Sequence, residues 1–151
     1  MKIRGFELVN EKFRDNNKLY KLPIRQTSNS AGYDFFLPED ITINPGETVK
    51  IQSGIKAYMQ ENEVLYLHVR SSIGIKKHLI LSNSTGVIDA DYYSNETNDG
   101  DIGIVLFNYG KEPITLNKGE CVIQGVFHTY LIADNGNLNN NRNGGIGSTT
   151  K

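Results

Sequence analysis

Ile41-Thr42-Ile43-Asn44-Pro45-Gly46-Glu47-Thr48-Val49-Lys50-Ile51 carries the pattern that specifies the fold class. Two short runs rich in β-branched residues flank Asn44-Pro45-Gly46. There proline fixes φ and glycine supplies a positive one, so the stretch reads as strand, turn, strand. The same rhythm extends outward. Val64 to Val69 alternates and is rich in β-branched and aromatic residues, Asp101 to Phe107 and Ile114 to Leu116 follow suit, and Asn108 to Pro113 is a loop between them. Glu120 to Ile132 is long enough for a helix, but its β-branched and aromatic content predicts a strand, with Gly125 marking a bulge or bend. No segment carries a sustained apolar stripe at helical spacing. Regular short strands cut by Gly and Pro turns predict an all-β sandwich or barrel.

The 151 residues suit one domain. Sixteen Lys and Arg stand against seventeen Asp and Glu, a net charge of −1, which argues against a duplex-binding surface because that needs clustered cations. No direct nucleic-acid binding is expected. With 38% hydrophobic and 22% charged residues the composition is globular rather than disordered. No apolar run approaches the roughly 20 residues that span a bilayer. The start, Met1-Lys2-Ile3-Arg4-Gly5, lacks an apolar leader, so a cytoplasmic location away from membranes is expected. Cys121 is the only cysteine; it permits no intrachain disulfide and reads as a buried, inert thiol.

Two stretches stand outside the strand pattern. Ser94 to Gly100 is polar and turn-rich, and reads as the tip of a surface hairpin. From Asp134 onward the chain has too few apolar residues to offset its ordering entropy, so a mobile arm is expected. Gly-rich backbone and Arg142 would suit an anionic phosphate chain, although no Walker spacing is present. His68, His78 and His128 lie too far apart for metal-ligand spacing. Asp89 and Asp91 would share one face of a strand, an arrangement tolerated beside a cation or a substrate, and also ordinary turn chemistry. Arg70-Ser71-Ser72 could bind phosphate or end a strand in solvent.

Taken in order, these segments resemble the trimeric dUTPase (deoxyuridine triphosphate nucleotidohydrolase) family, of Gram-positive bacterial or phage type. Ala31-Gly32-Tyr33-Asp34-Phe35 is similar to its first motif, Arg70-Ser71-Ser72-Ile73-Gly74 to the second, and Asn83 through Gly86-Val87-Ile88-Asp89 to Tyr92 to the third. Leu106-Phe107-Asn108-Tyr109-Gly110, with Lys118 to Gln124 following, resembles the fourth. Arg142-Asn143-Gly144-Gly145-Ile146-Gly147 resembles the fifth.

The resemblance implies a β jelly roll at 1–133, a flexible arm at 134–151, and a homotrimer with three shared sites. The implied activity is hydrolysis of dUTP to dUMP and pyrophosphate with Mg²⁺, limiting uracil in DNA and supplying dUMP for dTMP synthesis. Asp89 would orient and deprotonate the water that attacks the α-phosphorus, a role worth about 10²–10⁴ in rate. Arg70, Ser71, Ser72 and Gln124 would hold the phosphates. Asn83, Gly86, Val87 and Ile88 would read uracil from a hairpin, with Gly103 on its returning strand. Tyr92 would pack under the sugar and exclude a 2′-hydroxyl. Arg142 would grip the terminal phosphate while Ile146 and Gly147 close over the nucleotide. Asp34 would support the metal through water.

Three departures accompany the resemblance. Ile146 stands where the family commonly has an aromatic ring, forgoing a stack worth about 1–3 kcal/mol. One residue, rather than two, separates Arg142 from Gly144. Ser94 to Gly100 looks like an insertion, and a candidate surface for a regulatory protein partner. A related deaminase would need an acid within Ile102 to Phe107, which has none. A purely regulatory binder would be expected to have lost Asp89, Arg70 and Gln124.

Overall fold

The computed structural model describes residues 1–135, 142 and 144–146. Eleven strands and one helix lie within them: β1 (Gly5–Leu8), β2 (Tyr33–Phe36), β3 (Ile41–Ile43), β4 (Thr48–Gln52), β5 (Ile55–Tyr58), β6 (Glu63–Val69), α1 (Ser71–Lys77), β7 (Leu79–Leu81), β8 (Gly86–Asp89), β9 (Gly103–Asn108), β10 (Ile114–Leu116) and β11 (Cys121–Thr129). One sheet runs β2-β11-β6-β8 and a second β4-β9-β7, with two-stranded ribbons β1-β5 and β3-β10 beside them. Every named strand pair is antiparallel. No helix among the described residues is long and apolar enough to cross a membrane.

Period-two alternation puts the core between the sheets. In β9, Ile104 and Leu106 point inward with Asn108, all fully buried, and Leu65, Leu67, Phe35 and Ile123 face them from the other layer. Asn108 is a polar group at an apolar position, and its hydrogen bonds explain why it is tolerated. Its amide donates to the carbonyls of Ile43 and Glu112 at 2.8 Å each, and its Oδ1 accepts from the Gly110 N–H at 2.9 Å. It thereby ties the β9–β10 loop to β3.

Ile41 to Ile51 is strand, turn and strand as expected, but β3 and β4 do not pair. β3 joins β10 and β4 joins β9, so the turn carries the chain from a ribbon to a sheet. Gly46 has φ +79° there and donates to the Asn108 carbonyl. The expected bulge in β11 lies upstream of Gly125. Register against β2 shifts between Cys121 and Ile123, which lets the consecutive Val122 and Ile123 both be buried. Gly125 instead allows close approach: a β-carbon there would meet Leu65 Cδ1 at 2.9 Å.

Helix α1 departs from the all-strand expectation. Ile73 is its one buried residue, so two turns leave no stripe to detect; His78, in the left-handed region at φ +57°, ends it. The reading of Ser94–Gly100 as a hairpin tip is also corrected, because the strands on either side, β8 and β9, belong to different sheets. Lys56 Nζ holds the Ser94 hydroxyl and the Asp99 carboxylate at about 3 Å, and Asn95 is buried, so the segment folds inward.

Asp101, 3% exposed, follows that segment and accepts the Gly54 N–H at 2.8 Å. Burial pushes its carboxyl from the ordinary 3.8 up to about 6, against the downward pull of Gly54 and Gln52. The folded chain therefore holds this proton more tightly than the unfolded one. The stabilisation is complete below 3.8 and is lost as pH rises through about 6. Asp101→Asn keeps the acceptor for Gly54 without the charge. Urea unfolding should find the variant more stable at pH 8 by about 1–3 kcal/mol and near wild type at pH 4; equal stabilities at pH 8 would refute this account.

Candidate active site

Strand β8 sits at the edge of its sheet, paired with β6 in the register Val64 to Asp89, Leu65 to Ile88, Tyr66 to Val87 and Leu67 to Gly86. Gly86 is required by that pairing, since a β-carbon would lie 2.9 Å from Leu67 Cβ. The turn before β8 comes from β7 in the other sheet, with Ser84 at φ +62° and its N–H bonded to the Leu81 carbonyl. The expected uracil-reading hairpin is thus corrected to a corner between the two sheets. Gly103 begins β9, which runs beside β7 and β4 rather than β8.

This corner opens on a cleft of ≈ 800 Å³, a volume suited to a nucleotide-sized ligand. Asn83, Gly86, Val87, Ile88, Asp89, Tyr92, Gly103, Arg142 and Ile146, all singled out from the sequence, line it. Asp89 ends β8 with its side chain half exposed, and Asp91 follows in a single 3-10 turn, Ala90–Tyr92. The two acids do not share a strand face, yet one cation serves both. The Arg142 guanidinium pairs with Asp89 and, through Nε at 2.7 Å, with Asp91, and it also donates to the Gly144 carbonyl. It lies 5.9 Å from the centre of the Tyr92 ring. The Tyr92 hydroxyl donates to the Asp101 carbonyl at 2.7 Å; burial raises its pKa, partly offset by Asn98 and Arg142. Ile146 stands at the rim, 89% exposed. Gly147 lies outside the described residues.

The other predicted residues gather elsewhere. Arg70 follows the far end of β6. Its backbone N–H bonds to Val122 in the β11 bulge, its Nη1 donates to the Cys121 carbonyl at 3.2 Å, and its Nε lies 3.4 Å from the Asp34 carboxylate. Gln124 on β11 stands in register between Asp34 on β2 and His68 on β6. Ser71 and Ser72 are exposed in the first turn of α1. Arg70 reaches toward β11 and β2, whereas Asp89 is on the opposite side of β6. Val64, the partner of Asp89, precedes Arg70 by six residues, which at a strand's rise is about 20 Å. The predicted residues therefore form two separate clusters in one chain.

Cys121 is half-buried, its thiol pKa raised by burial, in keeping with an inert sulfur. No group of three or more His, Cys, Asp or Glu among the described residues could hold a metal ion, and Asp34 already faces Arg70. A divalent cation would fit here only with a ligand that brings most of its oxygens. Sequence reasoning missed Lys50, Gln52, Thr97 and Asn98 in the cleft wall. Lys50 and Gln52 alternate with Val49 and Ile51 in β4, which marks a polar face but not what it faces.

A family model described as dUTPase matches residues 19–150. The deoxyuridine 5'-triphosphate nucleotidohydrolase of Lactococcus lactis subsp. lactis is 48% identical over 152 residues, covering 99% of each chain. A dUTPase from Streptococcus mutans, known from its crystal structure, aligns with a TM-score of 0.76 and 46% identity over 87% of this chain and 99% of that one. A mutant dUTPase of phage phi11 of S. aureus, described with a structural Mg(II) ion, shares the fold at 21% identity, with a TM-score of 0.71 over 92% and 98% of the two chains. By architecture this chain is a β jelly roll. By sequence it belongs to the dUTPase family.

Two glycines separate packing from positioning. At Gly86 a β-carbon strikes Leu67 next to its backbone, so Gly86→Ala should cost about 1–3 kcal/mol in urea unfolding. At Gly32 a β-carbon would come 2.2 Å from Gln124 Oε1, the free end of a long side chain, and 3.1 Å from its Cβ. Gly32→Ala should therefore turn Gln124 aside and cost less than Gly86→Ala. Equal losses for the two variants would contradict the assignment.

Proposed function

We propose that this chain hydrolyses dUTP to dUMP and pyrophosphate, in sites that two or more copies complete together. The observation that carries the reading is the cleft, where Asp89, Tyr92, Arg142 and the corner at Asn83–Ile88 converge in a member of this family. Asp89 is the proposed base. One carboxylate oxygen takes a proton from water as its oxygen attacks the α-phosphorus, the bond from that phosphorus to the bridging oxygen breaks, and pyrophosphate leaves with the electron pair. The backbone of Gly86, Val87 and Ile88 and the amide of Asn83 select uracil, and Tyr92 is the floor under the deoxyribose. Mg²⁺, entering with the substrate's phosphates, would supply neutralisation of their charge.

Arg70, Ser71, Ser72 and Gln124 are proposed to hold the phosphates. A separation of about 20 Å from Asp89 is too far for both groups of one chain to act on the same triphosphate. This favours a homotrimer in which the Arg70 cluster of one copy faces the Asp89 cleft of another. Asp34 steadies Arg70 in this reading, and its help to the metal is at most through water. Residues 134–151 act as an arm: Arg142 exchanges Asp89 and Asp91 for the terminal phosphate, and Ile146 with Gly147 closes over the base. A protein partner on Ser94–Gly100 has less support, because Asn95 and Asn98 turn inward.

The direct test is pyrophosphate release from dUTP beside dCTP, dTTP and UTP at matched Mg²⁺. Only dUTP should be hydrolysed rapidly. Asp89→Asn and Arg70→Ala should each lower turnover by at least about 10²-fold as pure proteins. Trimers assembled from a mixture of the two variants should recover measurable activity, because some sites then combine an intact Asp89 with an intact Arg70. Inactive mixed trimers would exclude shared sites, and an active Asp89→Asn protein would exclude the base.

A further inference from the structure

We propose that Asn98 is a positioning residue that sets the selectivity for deoxyribose by clamping Tyr92, and that this is what the segment Ser94–Gly100 is for. The inference rests on the reading of Tyr92 as the floor under the sugar.

The phenol of Tyr92 has one hydrogen, and that hydrogen is committed to the Asp101 carbonyl at 2.7 Å. Its oxygen then accepts from Asn98 Nδ2 at 2.8 Å. The amide of Asn98 has only one orientation available. Its oxygen receives the Gly100 N–H at 3.0 Å and Asn95 Nδ2 at 2.8 Å, and since the backbone N–H can only donate, the NH₂ must face the tyrosine.

Asn95 is buried and is held in turn. Its amide donates to the Tyr92 carbonyl at 2.8 Å, and its Oδ1 accepts the N–H groups of Thr97 and Asn98. Gly100 closes the loop at φ +88°, where a β-carbon would sit 2.9 Å from both the Ser94 nitrogen and the Tyr92 carbonyl oxygen. Lys56 and the Asn10 N–H anchor Asp99 from outside. Asn95, Asn98 and Gly100 thus form a closed set of hydrogen bonds that starts and ends on Tyr92.

A floor excludes one extra oxygen only if it cannot move. With its hydroxyl bonded on two sides, the ring can neither swing about χ1 nor sink, so the space needed by a 2′-hydroxyl stays closed. Without the Asn98 donor, the ring keeps a single tether and can yield.

Asn98→Asp is the informative substitution. It keeps the oxygen that serves Gly100 and Asn95 but sets a second acceptor against the phenol. The added charge acts alike on dUTP and UTP, so the ratio of their kcat/KM values isolates the sugar. That ratio should fall about five- to tenfold, whatever the common effect of the charge on both nucleotides, in line with one lost hydrogen bond. Tyr92→Phe should lower it similarly, and the double variant should go no further than either alone. An unchanged ratio in Asn98→Asp, or additive losses in the double variant, would overturn the proposal. A wild-type protein without dUTP hydrolysis would overturn the proposed function itself, before any variant is compared.

Discussion

Strand β6 is hydrogen-bonded along both edges, to β11 on one side and β8 on the other, and the placement of every chemical group depends on that double pairing. Because side chains alternate with a period of two, a slip of one residue would turn Leu65 and Leu67 out of the core and invert Asp89 on its strand. The close fit of Gly86 against Leu67 is one lock on this register. On the far side, the bulge at Cys121–Ile123 aims two carbonyls at Arg70. A single strand therefore carries both clusters, at opposite ends and toward opposite neighbours.

The cleft is built around Tyr92 as much as around Asp89. Its hydroxyl is held from below by Asp101 and Asn98, its ring faces the Arg142 guanidinium, and Gly145 approaches closely enough that a β-carbon would lie 3.1 Å from the ring. Arg142, its side chain 12% exposed, lies between two carboxylates, which explains how Asp89 and Asp91 coexist without the repulsion that their spacing implies. An anionic ligand in the cleft would have to compete with these carboxylates for the Arg142 guanidinium. Asp101, kept out of water beneath the tyrosine, adds a carboxyl whose charge the fold disfavours, but its backbone carbonyl is what the phenol needs.

Much of this was legible in the residues. β-Branched alternation in Val64–Val69 and Asp101–Phe107 identified strands because the signal is local: neighbouring side chains must point to opposite faces. Helix α1 was invisible because seven residues with one buried isoleucine make no periodic pattern. The cleft residues of the third motif were legible because they lie within ten positions of one another. Asn98 was read as part of a surface loop because asparagine favours turns generally, and nothing in its neighbourhood announces a tyrosine hydroxyl.

The all-β class, the family resemblance and the residues able to do chemistry follow from side-chain type and short spacing alone. Long-range packing puts β7 and β8 at a corner between sheets, turns Lys50 and Gln52 to the cleft and folds Ser94–Gly100 inward. It also sets Arg70 and Asp89 at opposite ends of β6. These are consequences of pairing between distant segments, where hydrogen-bond register and burial choose among arrangements that local pattern leaves equal.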